Sequence, residues 1–160
     1  MTDMTRKTIN VEYTEYTSPE EMSAGDRALC EAAVAAIDGS YAPYSHFNVG
    51  AAVRLSDGTI VKGANQENAA YPSGLCAERT AMFAAGAAHP ELAQVSIAVA
   101  ARQDGALCPM PAAPCGACRQ VMAQYQTKSG SPMSVLFVGA ERIWKFDSVD
   151  AILPFLFDNI

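Results

Sequence analysis

Apolar residues along the chain recur with two periods, and the change from one to the other marks out the elements. Residues 18–39, "SPEEMSAGDRALCEAAVAAIDG", carry a helical spacing. Ser18 is placed to cap this helix, Pro19 suits its first position, Glu21 completes a capping box and Gly39 ends it. In "VGAAVRLSDGTIVKGANQ" two apolar stretches flank Asp57–Gly58, which predicts a β-hairpin. A second helix is expected over 76–88, a buried strand in "QVSIAVAA" (94–101), and a loop with three prolines over 102–114. "CGACRQVMAQYQ" is helical. "MSVLFV" and "RIWKF" are short strands joined by "GAE", and "SVDAILPFLFDNI" is expected to be a short terminal helix interrupted at Pro154.

Strands that alternate with helices predict an α/β fold. The expectation is a single three-layer domain over 18–160, with a central mixed sheet of about five strands flanked by helices. Residues 1–17 form an N-terminal extension, in which "TINVEYTEY" is either an extra strand or a disordered tail.

Composition narrows the function. Half of the 160 residues are apolar and 18% are charged, which suits a packed core. The net charge of -6 and the scattered basic residues argue against nucleic acid as a partner. No apolar run reaches membrane-spanning length, and the first twenty residues lack the apolar core of a secretory signal, so a cytoplasmic location is expected. Cysteines 30, 76, 108, 115 and 118 are odd in number. In a reducing compartment that favours metal binding or catalysis over a disulfide framework.

Three of these cysteines sit where helices begin. Cys115 and Cys118 share a face of one first turn and Cys76 opens another, where free N–H groups and the helix dipole favour thiolates. If the two helix starts meet, three sulfurs can bind one Zn2+ and leave a fourth position for water, the arrangement of a catalytic site. Glu78, two residues after Cys76, can then move protons as base and acid. Arg79 is placed to offset the negative charge of three thiolates. Other readings stay open. Cys108 could supply a fourth thiolate and make the zinc structural, or Cys115 and Cys118 could be a redox pair. Cys30 is read as core, His46 as a local hydrogen-bonding residue and His89 as a helix-end residue.

"CAE" at 76–78 followed by "PCGAC" at 114–118 matches the Cys-x-Glu and Pro-Cys-x-x-Cys elements of zinc deaminases. With "YAPYSHFNVGAAV", "GANQENAAYPSGLCAERTAM" and "PCGACRQVM", the chain resembles the small, single-domain, homotetrameric cytidine deaminases from about residue 20 to the end. The resemblance implies one Zn2+ per subunit held by Cys76, Cys115 and Cys118, with Glu78 as proton shuttle. It implies that the N–H of Ala77 meets the pyrimidine carbonyl, that Phe47 packs on the base or sugar, and that Asn65 and Glu67 hold the ribose 3′-hydroxyl. It also implies active sites shared between subunits, where Ala69 and Tyr71 reach a neighbour's nucleoside near its 5′-hydroxyl and Phe157 stacks on a neighbour's base. The implied reaction turns cytidine or 2′-deoxycytidine into uridine or 2′-deoxyuridine and ammonia.

The residues agree with a nucleoside. An amide and a carboxylate two apart on an extended segment face one way and can share a hydroxyl, while the chain shows no obvious Arg/Lys clamp for a 5′-phosphate. Two rivals remain: a deaminase of a modified or antibiotic cytosine nucleoside, and a non-catalytic zinc-stabilised module that binds a nucleoside or a protein. The chain departs from the family at Ala113, where Ser or Thr is usual, in the longer 102–114 loop, and in its N-terminal extension. Ala113 is expected to matter little, because the family uses the backbone carbonyl at that position.

Overall fold

A computed structural model of the protein describes residues 4–158; residues 1–3 of the extension and 159–160 of the terminal segment lie outside it. Strands β1 (Thr14–Tyr16), β2 (Phe47–Leu55), β3 (Ile60–Ala64), β4 (Gln94–Gln103), β5 (Ala106–Leu107), β6 (Ser134–Val138) and β7 (Ile143–Phe146) form one sheet. The helices are α1 (Ala24–Ala36), α2 (Ala77–Ala88) and α3 (Gly116–Ser129). The strand order is β1-β7-β6-β4-β2-β3, with β5 paired to β4. The β4–β6 pair is parallel and the other pairs are antiparallel.

Strand periodicity sorts the sheet residues into two cores. Ala52, Ala98, Ala100, Leu136 and Val138 face α1, whose Leu29, Cys30 and Ala33, with Ile37 just past its end, close that layer. Ala51, Val53, Ile97, Val99, Val135 and Phe137 face the other way, toward Ala81, Met82 and Ala85 of α2 and Cys118, Met122 and Ala123 of α3. The three-layer α/β expectation holds, with α1 on one face and α2 and α3 on the other.

This topology determines where the helices begin. β3 and β4 are each antiparallel to β2, so they run in the same direction. α2 follows β3, and α3 follows β4 and its short return strand. Both helices therefore start at one end of the sheet, the usual place for ligand sites in α/β folds. At Gly63 of β3 a Cβ would lie 2.4 Å from the backbone nitrogen of Ala81, so the first turns of α2 rest flush on the sheet only because no side chain intervenes.

Four expectations need correction. The sheet has seven strands rather than about five. One extra strand comes from the extension: β1 pairs with β7, Tyr13 stacks on Phe146 at 5.3 Å between centroids, and Trp144 Nε1 donates to Glu15 at 2.8 Å. The other is β5, created because Asp104 and Gly105, at φ 52° and 78°, make a two-residue hairpin turn inside the segment read as loop.

The first helix starts later than expected. Ser18 caps only a 3-10 turn, Pro19–Glu21, and the Glu21 carboxylate accepts from the Thr17 N–H instead of that of Ser18. Met22 is extended, and Ser23 caps α1 by accepting from the Asp26 N–H. The expected terminal helix is a single 3-10 turn, Val149–Ala151. Beyond it the chain runs irregularly along α3, whose side chains supply hydrogen bonds that a helix would have supplied internally.

Candidate metal centre and active site

Cys76 is the N-cap of α2 and Cys115 the N-cap of α3, and neither side chain makes a capping hydrogen bond. Cys118 lies buried one turn into α3. The three sulfurs lie within 4.8 Å of one another, and Cys76 Sγ and Cys115 Sγ are 3.9 Å apart. Tetrahedral zinc with sulfurs at 2.3 Å holds them about 3.8 Å apart, whereas a disulfide needs about 2 Å. The spacing fits a metal, and three thiolates suit zinc.

The local field favours a thiolate at Cys76. A hydrogen bond from Cys118, aided by Arg79, lowers the Cys76 pKa to about 5 against the pull of burial, and Cys118 is raised in turn. Arg79 Nη2 lies 3.5 Å from Cys76 Sγ, which brings a fixed positive charge to the cluster. Cys108 stays out of it. Its N–H donates to the carbonyl of Ala101 and its carbonyl accepts from Ala140, so the sheet edge holds it and it supplies no fourth thiolate.

Glu78 stands beside this cluster, 4% exposed. Burial raises its pKa to about 6, and the charge on Cys76 adds to that. A carboxyl poised near neutrality can hold a proton and release it, which an ordinary surface glutamate cannot do at the same pH. Ala77 between them is fully buried in the first turn of α2, where backbone N–H groups have no helical partner.

A cavity of about 490 Å3 opens onto Cys76 and Arg79 and is lined by Tyr44, Ser45, Asn65, Gln66, Glu67, Asn68, Tyr71, Gly74 and Leu75. It brings Cys76, Arg79, Asn65 and Glu67 together, and Tyr71, which the resemblance assigns to a neighbour's site, lines the same cavity. Gln66 bridges to both Tyr41 and Leu75, so 65–67 is extended and residues 65 and 67 share a side.

Both polar residues also build the wall. Asn65 Oδ1 accepts from the Val49 N–H at 2.8 Å, and its Nδ2 donates to the Phe47 carbonyl at 2.9 Å. Glu67 accepts from the N–H groups of Tyr44 and Ser45 and from the Ser45 hydroxyl, and these bonds lower its pKa. One N–H of Asn65 and one lone pair of Glu67 Oε1 are left for a ligand.

Phe47 begins β2, half-buried, outside the cavity lining. Ala69 is exposed in the bend before α2. Phe157 is 66% exposed, and its backbone is held to α3 by Gln120. His46, at φ 54°, and His89, the C-cap of α2, take no part, and Cys30 is core, its thiol pushed up to about 12 by burial. Sequence reasoning missed Tyr44, Ser45, Gln66 and Asn68 as lining residues. The "YAPYS" loop is held at the cavity by long-range contacts, among them the Tyr41 N–H to the Asn65 carbonyl and the bonds of Tyr44 and Ser45 to Glu67, 23 and 22 residues away.

Residues 23–131 match the family of the cytidine and deoxycytidylate deaminase zinc-binding region. A cytidine deaminase from Halalkalibacterium halodurans is 47% identical over 96 residues, 60% of this chain and 68% of its own. A probable cytidine deaminase from Dictyostelium discoideum is 32% identical over 120 residues, 75% of each chain. Among solved structures, a cytidine deaminase from Burkholderia pseudomallei superposes with a TM-score of 0.71 at 42% identity, covering 85% of this chain and all of its own. The matched stretch contains all three thiols and Glu78, so site and comparisons agree: the chain belongs to the zinc-binding cytidine and deoxycytidylate deaminase family.

Proposed function

We propose that this protein catalyses the zinc-dependent hydrolytic deamination of cytidine and 2′-deoxycytidine to uridine and 2′-deoxyuridine, with release of ammonia. The burial of Glu78 one turn from three convergent sulfurs carries this reading. Cys76, Cys115 and Cys118 hold one Zn2+ per subunit. When bound, the metal supplies a Lewis acid that makes a water easier to deprotonate near neutral pH. Glu78 accepts that proton, delivers it to N3 of the base as the water oxygen adds to C4, and relays a proton to the exocyclic nitrogen so that ammonia departs. The Ala77 N–H orients the pyrimidine carbonyl, and Arg79 limits the charge that three thiolates place on the site.

Asn65 and Glu67 hold the 3′-hydroxyl and leave the 2′ position unread, so both sugars fit. Phe47 packs on the base or sugar. The protein acts as a homotetramer in the cytoplasm, with residues 18–160 as the deaminase domain and 1–17 as its appendage. In this assembly Ala69, Tyr71 and Phe157 serve a neighbouring subunit's site; their exposure supports that role. No helix among the described residues is long and apolar enough to cross a membrane.

Ultraviolet absorbance of cytidine, deoxycytidine, cytosine, cytidine monophosphate and adenosine, each mixed with the protein, tests the proposal. The two nucleosides of cytosine are expected to turn over and the other three to persist. A chelator should stop turnover and added Zn2+ restore it. Zinc-loaded protein that leaves cytidine intact would sink the enzymatic reading.

A further inference from the structure

The exposed ring of Phe157 rises from a backbone that is held firmly. Gln120 Nε2 donates to the Phe157 carbonyl at 2.7 Å, and the Phe157 N–H donates to Gln120 Oε1 at 3.1 Å. A primary amide that both gives and accepts at a single residue copies one rung of a β-ladder. It sets the height of that peptide unit and also its rotation.

The next residue back on the helix does related work. Arg119 Nη1 donates to the Ile152 carbonyl, and its Nε donates to the carbonyl of Pro114, the residue before Cys115. Two adjacent residues directly after Cys118 thus secure both ends of segment 152–157, and Leu156 packs on the core between them. What this arrangement leaves outside is aromatic: Phe155 is 83% exposed and Phe157 66%. Segments outside helices and strands lack regular backbone pairing, and ordering them has an entropic cost. An irregular segment ordered by a dedicated side chain, with its ring exposed, is arranged to present that ring.

We infer that Gln120 is a positioning residue: its two-way hydrogen bond to Phe157 fixes the ring at the place from which it packs on a base held by a neighbouring subunit. The inference rests on the role given to Phe157 above and adds the residue that makes the ring's position definite. Stacking of this kind holds ground state and transition state alike, so its loss raises KM and leaves kcat nearly alone. A clip that merely tacked down the tail would lower stability without moving KM.

The test uses zinc-loaded full-length protein with Gln120→Met, Phe157→Ala and the double variant, in steady-state kinetics with cytidine. Methionine keeps the length of glutamine and removes both hydrogen bonds. Gln120→Met is expected to raise KM about fivefold, with kcat within about twofold. Phe157→Ala should raise KM at least as much, and the double variant should match Phe157→Ala alone. A normal KM in Gln120→Met beside an impaired Phe157→Ala removes the clip and leaves the aromatic role standing. A normal KM in Phe157→Ala removes the aromatic role, and this inference with it. Additive effects in the double variant mean that Gln120 acts by another route and also overturn the inference. If Gln120→Met does not fold, Gln120→Glu decides: it keeps the acceptor for the Phe157 N–H, so a KM between those of the native protein and Phe157→Ala supports the clip, and a native KM refutes it.

Discussion

Asp26 and Glu78 are two carboxylates buried alike, 3% and 4% exposed, on opposite faces of one sheet, and they are driven in opposite directions. Burial pushes Asp26 up. The hydrogen bond and charge of Lys145, with Arg54 and Ser23, outweigh it and hold the group below its ordinary value. Lys145 Nζ is 2.7 Å from one carboxylate oxygen and Arg54 Nη2 3.2 Å from the other. Glu78 lies deeper and has no cation bonded to it in this way; burial chiefly, with the charge on Cys76 adding to it, raises its pKa to about 6. Little exposed surface is common to both; Glu78 is the more deeply enclosed, and depth of burial and partner charge together decide the direction. One carboxylate is locked as an anion and ties α1 to β2 and β7. The other is left able to change state.

Substitution separates the two most sharply at Glu78. Glu78→Gln keeps the volume and removes the proton carrier, so kcat should fall by about 10²–10⁴-fold, with zinc content unchanged by metal analysis and Tm not lowered. Native turnover in this variant would end the assigned role.

Asp26→Asn should do the reverse. It leaves two cations facing a neutral amide and should cost about 3 kcal/mol in urea unfolding, while kcat of the protein that remains folded is preserved. It should also flatten the acid limb of stability. Because the folded pKa of Asp26 is depressed, its contribution is complete above the unfolded value near 3.9 and is lost as pH falls through the lower folded value. Lys145 is raised, so its share is complete below about 10.4 and is lost as pH climbs through its folded value. Unfolding curves from pH 2 to 7 for both proteins measure the acid side. Superimposable slopes would mean that Asp26 is not the titrating group.

The smallest effect is expected at Arg79. Arg79→Gln takes away the cation 3.5 Å from Cys76 Sγ and should lower activity or zinc affinity about tenfold, read by chelator competition. A loss as large as that of Glu78→Gln would make Arg79 part of the chemistry instead of its support.

The chemical half of this comparison was legible in the chain and the structural half was not. Cys76, Glu78, Cys115 and Cys118 declare themselves because helix starts and short spacings are local features. Asp26 gives no such sign: within an alanine-rich helix it reads as surface, and its partners lie 28 and 119 residues away. The same distance in sequence hid the "YAPYS" wall of the cavity and the bonds from α3 that replace a terminal helix. Asp104–Gly105 was a visible turn signal, but only two residues of strand follow before Cys108 and Pro109, too few to show a period. At α1 two serines competed, and the extended Met22 between them gave the helix to Ser23.

The strand contributed by the extension has a consequence for how the molecule meets its own copies. A sheet that stopped at β7 would offer bare amides and carbonyls to any passing chain, an invitation to indefinite ribbon growth. β1 answers with a border of three residues, too short to template another strand, with Glu15 at its middle paired to Arg142 of the same sheet end. Strand addition through that margin is discouraged.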